Sequence, residues 1–558
     1  MSVNLAYLAP LAVLLPILGA AVAFTLVRHP RAQRTVSVSV LSLTLLLECF
    51  LLASSWDGGT TAVRLGHWFP PFGIVMVVDA FSSLMLVVSS AVSLCVLLYA
   101  SAQGASESGY DGPVSIFHPS YLILIAGVSN AFLSGDLFNL YVGFEILLTA
   151  SYVLMTLGGT EARIRAGVTY VVVSVVSSLL FLIAIGMIYA ATGTVNMADL
   201  AVKLAQLDPG MQTLLHVMLL VAFGIKAAVF PLSFWLPDSY PTAPAPVTAV
   251  FAGLLTKVGV YAMVRTETLL FPGDTLNQPL MVVALLTMVV GILGAVAQND
   301  IKRLLSFTLV SHIGYMVFGL ALSSTAGLGA AVFYVAHHIT IQTSLFLVAG
   351  LVELRAGSSS LDRLGGLGKL SPLLAVLFFI PAMNLAGIPP FSGFLGKLGL
   401  LQAGIAQGTV LAVILVVGGV FASLLTLLAI ARVWNRAFWR TTDDAEDPEP
   451  ELLTTGAAAR RLMPRGMVAP TAALVVLGVA LTVFAGPLFG LADRSAAQML
   501  DRSSYIHAVL GPDVAVPPLE APPSSAESPA TGVPAAGAPA TGDPAAGTQA
   551  AEISGGAR

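Results

Sequence analysis

Long apolar stretches recur along nearly the whole chain and are separated by short polar segments. Most contain about 20 residues, the length that a helix needs to cross a hydrocarbon core of roughly 30 Å. They are interpreted as helices because an isolated strand cannot satisfy its backbone hydrogen bonds in lipid. The pattern predicts an all-α integral membrane protein of about fourteen transmembrane spans, at residues 4–27, 35–55, 74–101, 119–134, 137–158, 166–191, 211–236, 244–270, 278–298, 301–321, 326–354, 371–401, 406–434 and 467–490.

The composition agrees with this pattern. Of the 558 residues, 57% are hydrophobic and only 10% are charged, whereas a soluble domain carries about 25% charged residues. The first apolar run is followed, rather than preceded, by the basic residues Arg28, Arg31 and Arg34. Because a signal peptide has the reverse order of charge, this run is predicted to be a retained first helix.

The basic residues of the loops predict the orientation. With the N-terminus outside, the outer loops and the tail hold Arg64, Lys203, Arg265, Arg494, Arg502 and Arg558. The inner loops hold Arg28, Arg31, Arg34, Arg163, Arg165, Lys302, Arg303, Arg355, Arg363, Lys369, Arg432, Arg436, Arg440, Arg460, Arg461 and Arg465. Since Lys and Arg concentrate on the cytoplasmic side, we expect a multi-pass membrane protein with both termini outside.

Cysteine usage and the missing nucleotide motifs exclude several classes of function. Cys49 and Cys95 are the only cysteines, too few for an iron–sulfur cluster held by four thiolates, a zinc ribbon or a disulfide scaffold. The chain contains no Walker motif, and no G-x-G-x-x-G opens a βαβ unit. We therefore expect no cofactor, no metal site and no enzymatic reaction, and an ion gradient or a partner protein as the energy source.

A small set of ionisable residues is predicted near the middle of the spans: Glu145, Lys226, Lys257, His312, His337, His338 and Lys397. A charge at the bilayer centre costs about 2.5–3.5 kcal/mol on insertion scales. Burial favours the neutral forms of these groups, whereas pairing favours the charged forms. A row of such groups linked by water is predicted to be a proton relay. The static alternatives are a fixed Lys–Glu pair and neutral histidines bonded to neighbouring helices.

Other charges near span ends are interpreted differently. Asp136 follows Ser-Gly and is predicted to cap the fifth span. Arg265 and Glu267 stand at the end of the eighth span, and we expect them to be snorkelling or loop charges. Asp79, near the start of the third span, is left open between a structural and a functional role.

Two spans are predicted to be broken helices. Pro231 removes a backbone donor close to Lys226, and Pro389 and Pro390 stand shortly before Lys397. Both breaks fit Pro-x-Ser-x-aromatic-Leu, and the two copies, at Pro231 and Pro390, lie 159 residues and five spans apart. An odd number of spans gives the copies opposite orientations, which is typical of inverted repeats with discontinuous helices. The alternative is a pair of simple proline kinks.

These observations predict an order of segments along the chain. The order is N-terminal helices 1–3 over 1–118, a first inverted five-helix repeat over 119–270, a second over 271–440, a charged cytoplasmic loop over 441–466, helix 14 over 467–490, and a disordered Pro/Ala-rich tail over 511–558.

With these residues in view, the chain resembles the antiporter-like membrane subunits shared by Mrp-type cation/proton antiporters, complex I and membrane-bound hydrogenases. The resemblance covers nearly all of residues 1–490. It is carried by the segments 135–145 with Glu145, 226–238 with Lys226, 243–261 with Lys257, 311–314 with His312, His337-His338, and 388–397 with Lys397.

Within that family, the segments 71–79 and 151–160 most resemble the D-type subunit of Mrp antiporters. The resemblance implies a proton-translocating subunit of a hetero-oligomer with A, B, C, E, F and G type subunits, exchanging external protons for internal Na⁺ or K⁺. It implies that Glu145 and Lys226 form a switchable pair, that Lys257 and the histidines carry the proton between the halves, and that Lys397 is the exit group. The alternatives are a proton-pumping subunit of complex I or a hydrogenase, and a scaffold that transports nothing.

Overall fold

The structure is a computed structural model that describes residues 5–57, 59–106, 114–454, 456 and 462–517. Most of the tail predicted over 511–558, from residue 518 onward, lies outside these residues. So do Arg460 and Arg461 of the predicted inner loop.

The described residues are almost all helical, as predicted, and thirteen of their helices are long and apolar enough to cross a membrane. The helices are α1 (Leu11–Thr25), α2 (Pro30–Ser55), α3 (Ala80–Ser106), α4 (Val114–Leu133), α5 (Leu137–Thr156), α6 (Glu161–Thr192), α7 (Met197–Lys203), α8 (Pro209–Ala227), α9 (Trp235–Ser239), α10 (Ala245–Leu270), α11 (Asn277–Val296), α12 (Ile301–Ala321), α13 (Thr325–Ala356), α14 (Pro372–Ala386), α15 (Ser392–Gln407), α16 (Val410–Trp439), α17 (Arg465–Val483), α18 (Ala485–Leu500) and α19 (Arg502–Leu510).

Both predicted helix breaks are present. The span expected over 211–236 stops at the end of α8, and the one expected over 371–401 consists of α14 and α15. Ala228 and Gly387 end the helices before the breaks in the left-handed backbone region, with φ of 59° and 82°. The prolines that follow, Pro231 and Pro390, cannot donate a backbone hydrogen bond, so the helix does not resume at once.

Apart from the two breaks and shifts of a few residues at other helix ends, two predicted spans differ from the structure. Residues 75–78, expected to begin the third span, form strand β2 (Val75–Val78), which pairs antiparallel with β1 (Thr61–Arg64). The segment is apolar, rich in valine and fully buried. Its composition therefore resembles that of a transmembrane helix and did not distinguish it from α3. The helix expected over 467–490 ends at Val483, and the amphipathic α18 follows with Pro487 in its first turn.

Two helix pairs in different halves of the chain have matching ends. Helices α6 and α13 each contain 32 residues, start 164 residues apart, and are capped at their starts by Thr160 and Ser324. Each ends at a left-handed glycine, Gly193 or Gly357. Isolated strand bridges recur at the same offset and join Asp136 to Asn196 and Asp300 to Ser360. Two copies of one folding unit would produce this correspondence; the repeats and their opposite orientation stay a prediction.

The start of α5 follows the predicted capping. The Asp136 carboxylate accepts a hydrogen bond from the Asn139 backbone N–H at 2.6 Å, so the prediction that Asp136 caps this helix is confirmed. Burial raises the pKa of Asp136 to about 6, and the Asn139 hydrogen bond opposes that rise.

Burial separates central helices from peripheral ones. In the most apolar 18-residue segment of each helix, all residues of α10 and α13 and 94% of those of α12 are buried. In α2 and α17 only 33% are buried. The exposed side chains of the peripheral helices are themselves apolar, for example Val172, Leu179 and Ile183 on α6. In a membrane protein such surfaces face lipid. Helices α10, α12 and α13 therefore form the buried centre of the bundle.

Candidate functional site

All seven residues predicted as the relay lie inside the helical bundle. Lys257 and the three histidines have no exposed surface, and Lys226 and Lys397 are 8% and 4% exposed. Glu145, on α5, is half-buried. The residues fall into two groups, one around the break after α8 and one between α10, α12, α13 and α15.

Lys226 stands in the last turn of α8, immediately before the first break. Its Nζ donates a hydrogen bond to Ser178 Oγ of α6 at 3.1 Å and lies 4.7 Å from the centre of the Phe144 ring. The indole of Trp235, from beyond the break, donates to the carbonyl oxygen of Ile225 at 3.2 Å. The break thus places Lys226 among a hydroxyl, an aromatic face and the end of a helix, without a bound carboxylate.

Glu145 and Lys226 are not in direct contact. No ion pair within 4.0 Å joins them in the described part of the chain, and Glu145 Oε1 has no hydrogen-bond partner there. A small cavity is lined by Lys226, Phe144, Ser174 and Tyr170. The centre of a water molecule can move within about 20 Å³ of it. That volume suffices for one water. Glu145 and Lys226 therefore do not form the fixed ion pair that was one of the static alternatives.

Lys257 lies within α10 just after a π-helical turn, Phe251–Leu255. Its Nζ donates a 2.6 Å hydrogen bond to the carbonyl oxygen of Ala252 inside that turn. A π-helical turn shifts the backbone hydrogen bonds by one residue and is frequent at functional sites. The turn gives the buried lysine a backbone acceptor in the middle of the bundle.

Gly253 allows α10 and α13 to approach each other beside Lys257. A Cβ atom at this position would stand 2.3 Å from Thr343 Oγ1, and that hydroxyl is held by a 2.7 Å hydrogen bond to the Ile339 carbonyl. We expect Gly253→Ala to lower the thermal stability of the purified protein by about 1–3 kcal/mol, the usual cost of overpacking. The control is Gly186→Ala on α6, where the added Cβ meets no atom within 4 Å. Equal stability of the two variants would contradict the tight packing.

Histidines and tyrosines of α12 and α13 form the centre of the second group. Tyr334 Oη and His312 Nδ1 are 2.7 Å apart, and the rings of His312 and His338 have centroids 5.1 Å apart. His337 Nδ1 lies 3.0 Å from Ser392 Oγ, at the start of α15. The cluster therefore connects α12 and α13 to the second helix break.

Lys397 stands on α15, after the second break, and reaches back across it. Its Nζ donates to the carbonyl oxygens of Leu385 and Ala386 at 3.1 and 3.2 Å, at the C-terminus of α14. It also lies 5.1 Å from the centre of the Tyr315 ring. A helix C-terminus carries partial negative charge that stabilises a nearby cation, so the break itself supplies the site for this lysine.

Several buried polar atoms in the second group have no hydrogen-bond partner among the described residues. They are His312 Nε2, His337 Nε2, both ring nitrogens of His338, Thr256 Oγ1 and Asn384 Nδ2. Buried polar atoms without protein partners require water. His312 and His338 are also within electrostatic range of both Lys257 and Lys397. Histidines that can bind or release a proton therefore stand within reach of both lysines.

The interpretation of Arg265 and Glu267 as snorkelling or loop charges is wrong. Arg265 is 6% exposed and forms an ion pair with Asp79, at the start of α3. Glu267 is 9% exposed, and its Oε1 lies 2.5 Å from His216 Nε2 of α8. Both charges are enclosed because α10 ends inside the bundle, in the π-helical turn Thr266–Leu270. The sequence carries no local signal for these partners.

Glu48 was not singled out from the sequence although it lies within an apolar run of α2. It has no exposed surface; one carboxylate oxygen lies 3.4 Å from Ser129 Oγ, and the other has no partner among the described residues. The sequence did contain the signal that would have identified Glu48: like Glu145, it is an acidic residue in the middle of an apolar span. It stays outside the predicted relay because α2 contributes to neither group.

Comparisons with known proteins agree with this architecture. A family model described as NADH:quinone oxidoreductase/Mrp antiporter, TM matches residues 134–426. The chain is 41% identical over 507 residues to the D-type subunit of the Na(+)/H(+) antiporter of Alkalihalophilus pseudofirmus, covering 90% of this chain and 98% of that one. It is 36% identical over 511 residues to the D-type subunit of the Na(+)/H(+) antiporter of Bacillus subtilis, again covering 90% and 98%.

A solved structure leads to the same assignment. A chain in the structure of the Mrp complex from Dietzia sp. superposes with a TM-score of 0.83 at 34% identity, covering 92% of this chain and all of that one. The family model matches more than half of the chain, and both curated relatives are matched over almost their full length. The chain therefore belongs to the family of membrane subunits that Mrp antiporters share with NADH:quinone oxidoreductase.

Proposed function

We propose that this chain is the D-type subunit of an Mrp antiporter and moves protons inward in exchange for Na⁺ or K⁺. It acts as a transporter and not as an enzyme, within a hetero-oligomer of A, B, C, E, F and G type subunits. The protein lies in the bacterial inner membrane with both termini outside. One observation carries the proposal: three lysines are buried in an apolar bundle and are held by neutral oxygen atoms.

Neutral acceptors let each lysine change its protonation state. Lys226 donates to a serine hydroxyl, while Lys257 and Lys397 donate to backbone carbonyls. An ammonium group has three N–H donors and a neutral amine retains two, so these hydrogen bonds survive loss of the proton. A bound carboxylate would instead hold each lysine in the charged form. This surrounding favours a proton carrier over a fixed structural charge.

The order of contacts suggests a route. Glu145 and Lys226 would exchange a proton through water, since they do not touch, and the small cavity beside Lys226 has room for one water molecule. Lys257 would pass it to His338 and His312, and His337 would connect these rings to the second break, where Lys397 is the exit group. A proton bound by one of these groups makes a positive charge on its neighbours less favourable. Proton uptake by one group would therefore promote proton release by the next.

The membrane potential can drive the exchange. It contributes about 2.3 kcal/mol for each elementary charge moved across 100 mV. Importing more protons than the number of metal cations exported therefore uses the potential to extrude Na⁺ or K⁺ against its gradient.

The test is cation-dependent proton movement in everted membrane vesicles that contain the complete set of subunits. We expect addition of NaCl or KCl to collapse a preformed pH gradient, and vesicles lacking only this chain to show no such response. The competing function is a redox-driven pump of the complex I or hydrogenase type. Purification of the chain with iron–sulfur subunits, together with a pH gradient that is insensitive to both salts, would overturn the proposal in favour of that function.

A further inference from the structure

A buried carboxylate on a peripheral helix stands apart from the proposed proton route. Glu48 of α2 has no exposed surface, although the opposite face of this helix exposes the apolar side chains of Leu43, Leu46 and Phe50. The carboxylate therefore points away from lipid and towards α3 and α4, which pack against α2. An acidic group inside a membrane protein is costly and indicates a functional site whose partner has to be identified.

Two serine hydroxyls face this carboxylate. Ser129 Oγ of α4 lies 3.4 Å from Glu48 Oε1, and Ser90 of α3 adjoins the same carboxylate. The second carboxylate oxygen, Oε2, and Ser90 Oγ have no hydrogen-bond partner among the described residues. Both serines are at most 2% exposed, so bulk water does not satisfy them. Three helices thus bring oxygen atoms together and leave two of them unpaired.

The charge of Glu48 also lacks a partner. Glu48 forms no ion pair with any described residue. Because an isolated buried carboxylate is strongly unfavourable, the group needs either a proton or a bound cation.

The distance between Glu48 and Ser129 favours a bound cation. A hydroxyl that donates to a carboxylate normally stands about 2.5–2.7 Å from it, so a separation of 3.4 Å makes a poor hydrogen bond. Na⁺ has nearly the radius of Ca²⁺, whose oxygen ligands lie at about 2.3–2.6 Å, and two such ligands at right angles are about 3.3–3.7 Å apart. The two oxygens therefore have the spacing of neighbouring Na⁺ ligands. The larger K⁺ would need a wider spacing.

Polar side chains continue along the buried face of α2 on both sides of Glu48. Ser37, Thr44 and Ser55 are buried there, at intervals of seven, four and seven residues that keep them on one side of the helix with Glu48. Ser37 Oγ has no hydrogen-bond partner in the described part of the chain. This line of hydroxyls gives an ion a polar approach to the carboxylate from the ends of the helix, and it is separate from both relay groups.

We propose that Glu48, Ser90 and Ser129 bind Na⁺ between α2, α3 and α4. The Glu48 carboxylate supplies the negative charge, and the two hydroxyls and water supply further oxygen ligands. A protonated Glu48 releases its proton when Na⁺ binds, so the two ions compete for one group. The role of the site rests on the proposed function, in which the bound ion is the metal cation that is exchanged for protons.

The first measurement is the binding of radioactive Na⁺ to the detergent-purified complex at fixed pH. Glu48→Gln keeps the shape of the side chain and removes its charge, and we expect this Na⁺ site to become at least about 100-fold weaker, because removing one partner of a buried charge pair is strongly unfavourable. Glu161→Gln is the matched control, since Glu161 is an exposed residue at the start of α6.

A second variant tests the hydroxyl ligands and leaves the carboxylate in place. Ser90→Ala should weaken Na⁺ binding about fivefold, the scale of one neutral polar contact. Ser93→Ala, one turn further along α3, is its control, because the Ser93 hydroxyl donates to the Ser89 carbonyl of its own helix at 2.7 Å. This pair of variants decides the result if Glu48→Gln prevents assembly of the complex.

Na⁺ binding by the Glu48→Gln and Ser90→Ala complexes that equals binding by the unchanged complex would overturn the proposal. An infrared band of a protonated carboxyl group that disappears in Glu48→Gln, but does not respond to added Na⁺ in the unchanged complex, would identify a site for protons only. That result would also overturn the proposal.

Antiport in everted vesicles separates this site from the proposed function. Glu48→Gln should raise the Na⁺ concentration that gives half-maximal proton movement, while Glu161→Gln should not. If the unchanged complex binds Na⁺ through Glu48 but shows no cation-dependent proton movement, the site stands and the proposed function fails. If the unchanged complex exchanges ions and Glu48→Gln binds and exchanges Na⁺ equally well, the proposed function stands and the site fails.

Discussion

Replacing Lys226 by arginine is expected to lower antiport at least about 100-fold, the scale on which a positioned proton-transfer group contributes. Arginine keeps the positive charge but cannot release its proton in a protein. A lysine that served only as a fixed charge would tolerate the change. The measurement is cation-dependent proton movement in everted vesicles, together with the amount of assembled complex in the same membranes.

Two further variants make this result specific. Lys226→Met removes the charge while retaining much of the side-chain volume, and we expect the same loss of antiport with normal assembly. Lys369→Arg, at an exposed position, is the control and should leave exchange unchanged. Normal antiport by either Lys226 variant would show that protonation of this residue is not part of the mechanism.

Asp79→Ala is expected to lower the stability of the protein by about 3–5 kcal/mol, the cost of leaving a buried charge without its partner. Asp79 and Arg265 are 3% and 6% exposed, and Tyr505 of α19 packs against the guanidinium. Without the carboxylate, Arg265 would remain charged inside the bundle. The measurement is the thermal unfolding midpoint and the yield of the purified complex.

The double variant Asp79→Ala/Arg265→Met should recover a large part of the loss, since it removes both charges and keeps apolar volume. The control is Lys203→Ala, which breaks a partly exposed ion pair of 2.9 Å with Asp199 and should cost at most about 1 kcal/mol. An Asp79→Ala variant as stable as the unchanged protein would contradict the structural role assigned to the pair.

The two helix breaks are similar in sequence but place their lysines differently. At the 159-residue offset that aligns Pro231 with Pro390, the counterpart of Lys226 is Leu385, whose carbonyl oxygen accepts a hydrogen bond from Lys397. One lysine therefore precedes its break, and the other follows its break and reaches back to it. The two lysines therefore stand on opposite sides of their helix breaks; that the two halves are repeats of one unit stays a prediction.

Much of the fold was predictable from the sequence because its signals are local. A span is identified by a run of apolar residues, and the breaks after Ala227 and Ala386 are identified by the prolines that follow. The seven relay candidates were found because an ionisable residue within an apolar run is an exception visible at a single position. Strand β2 was missed because only one polar residue, Asp79, separates its four apolar residues from the apolar run of α3.

Partners, in contrast, were not predictable. Glu145 and Lys226 were expected as a pair and do not touch, whereas Asp79 and Arg265, 186 residues apart, do. Such contacts depend on how helices pack against each other, and nothing in the spacing along the chain encodes them.

The amino-acid sequence alone predicted that this protein spans a membrane, that two of its helices break, and that seven ionisable residues stand within apolar spans, since each property follows from the residue type and its immediate neighbours. What those residues bind depends on how the helices pack against each other. Lys257 and Lys397 obtain backbone carbonyls as acceptors because a π-helical turn and a helix end present those oxygens to them. That choice of neutral acceptors over carboxylates arises from the packing of the helices, and it makes a change of protonation possible.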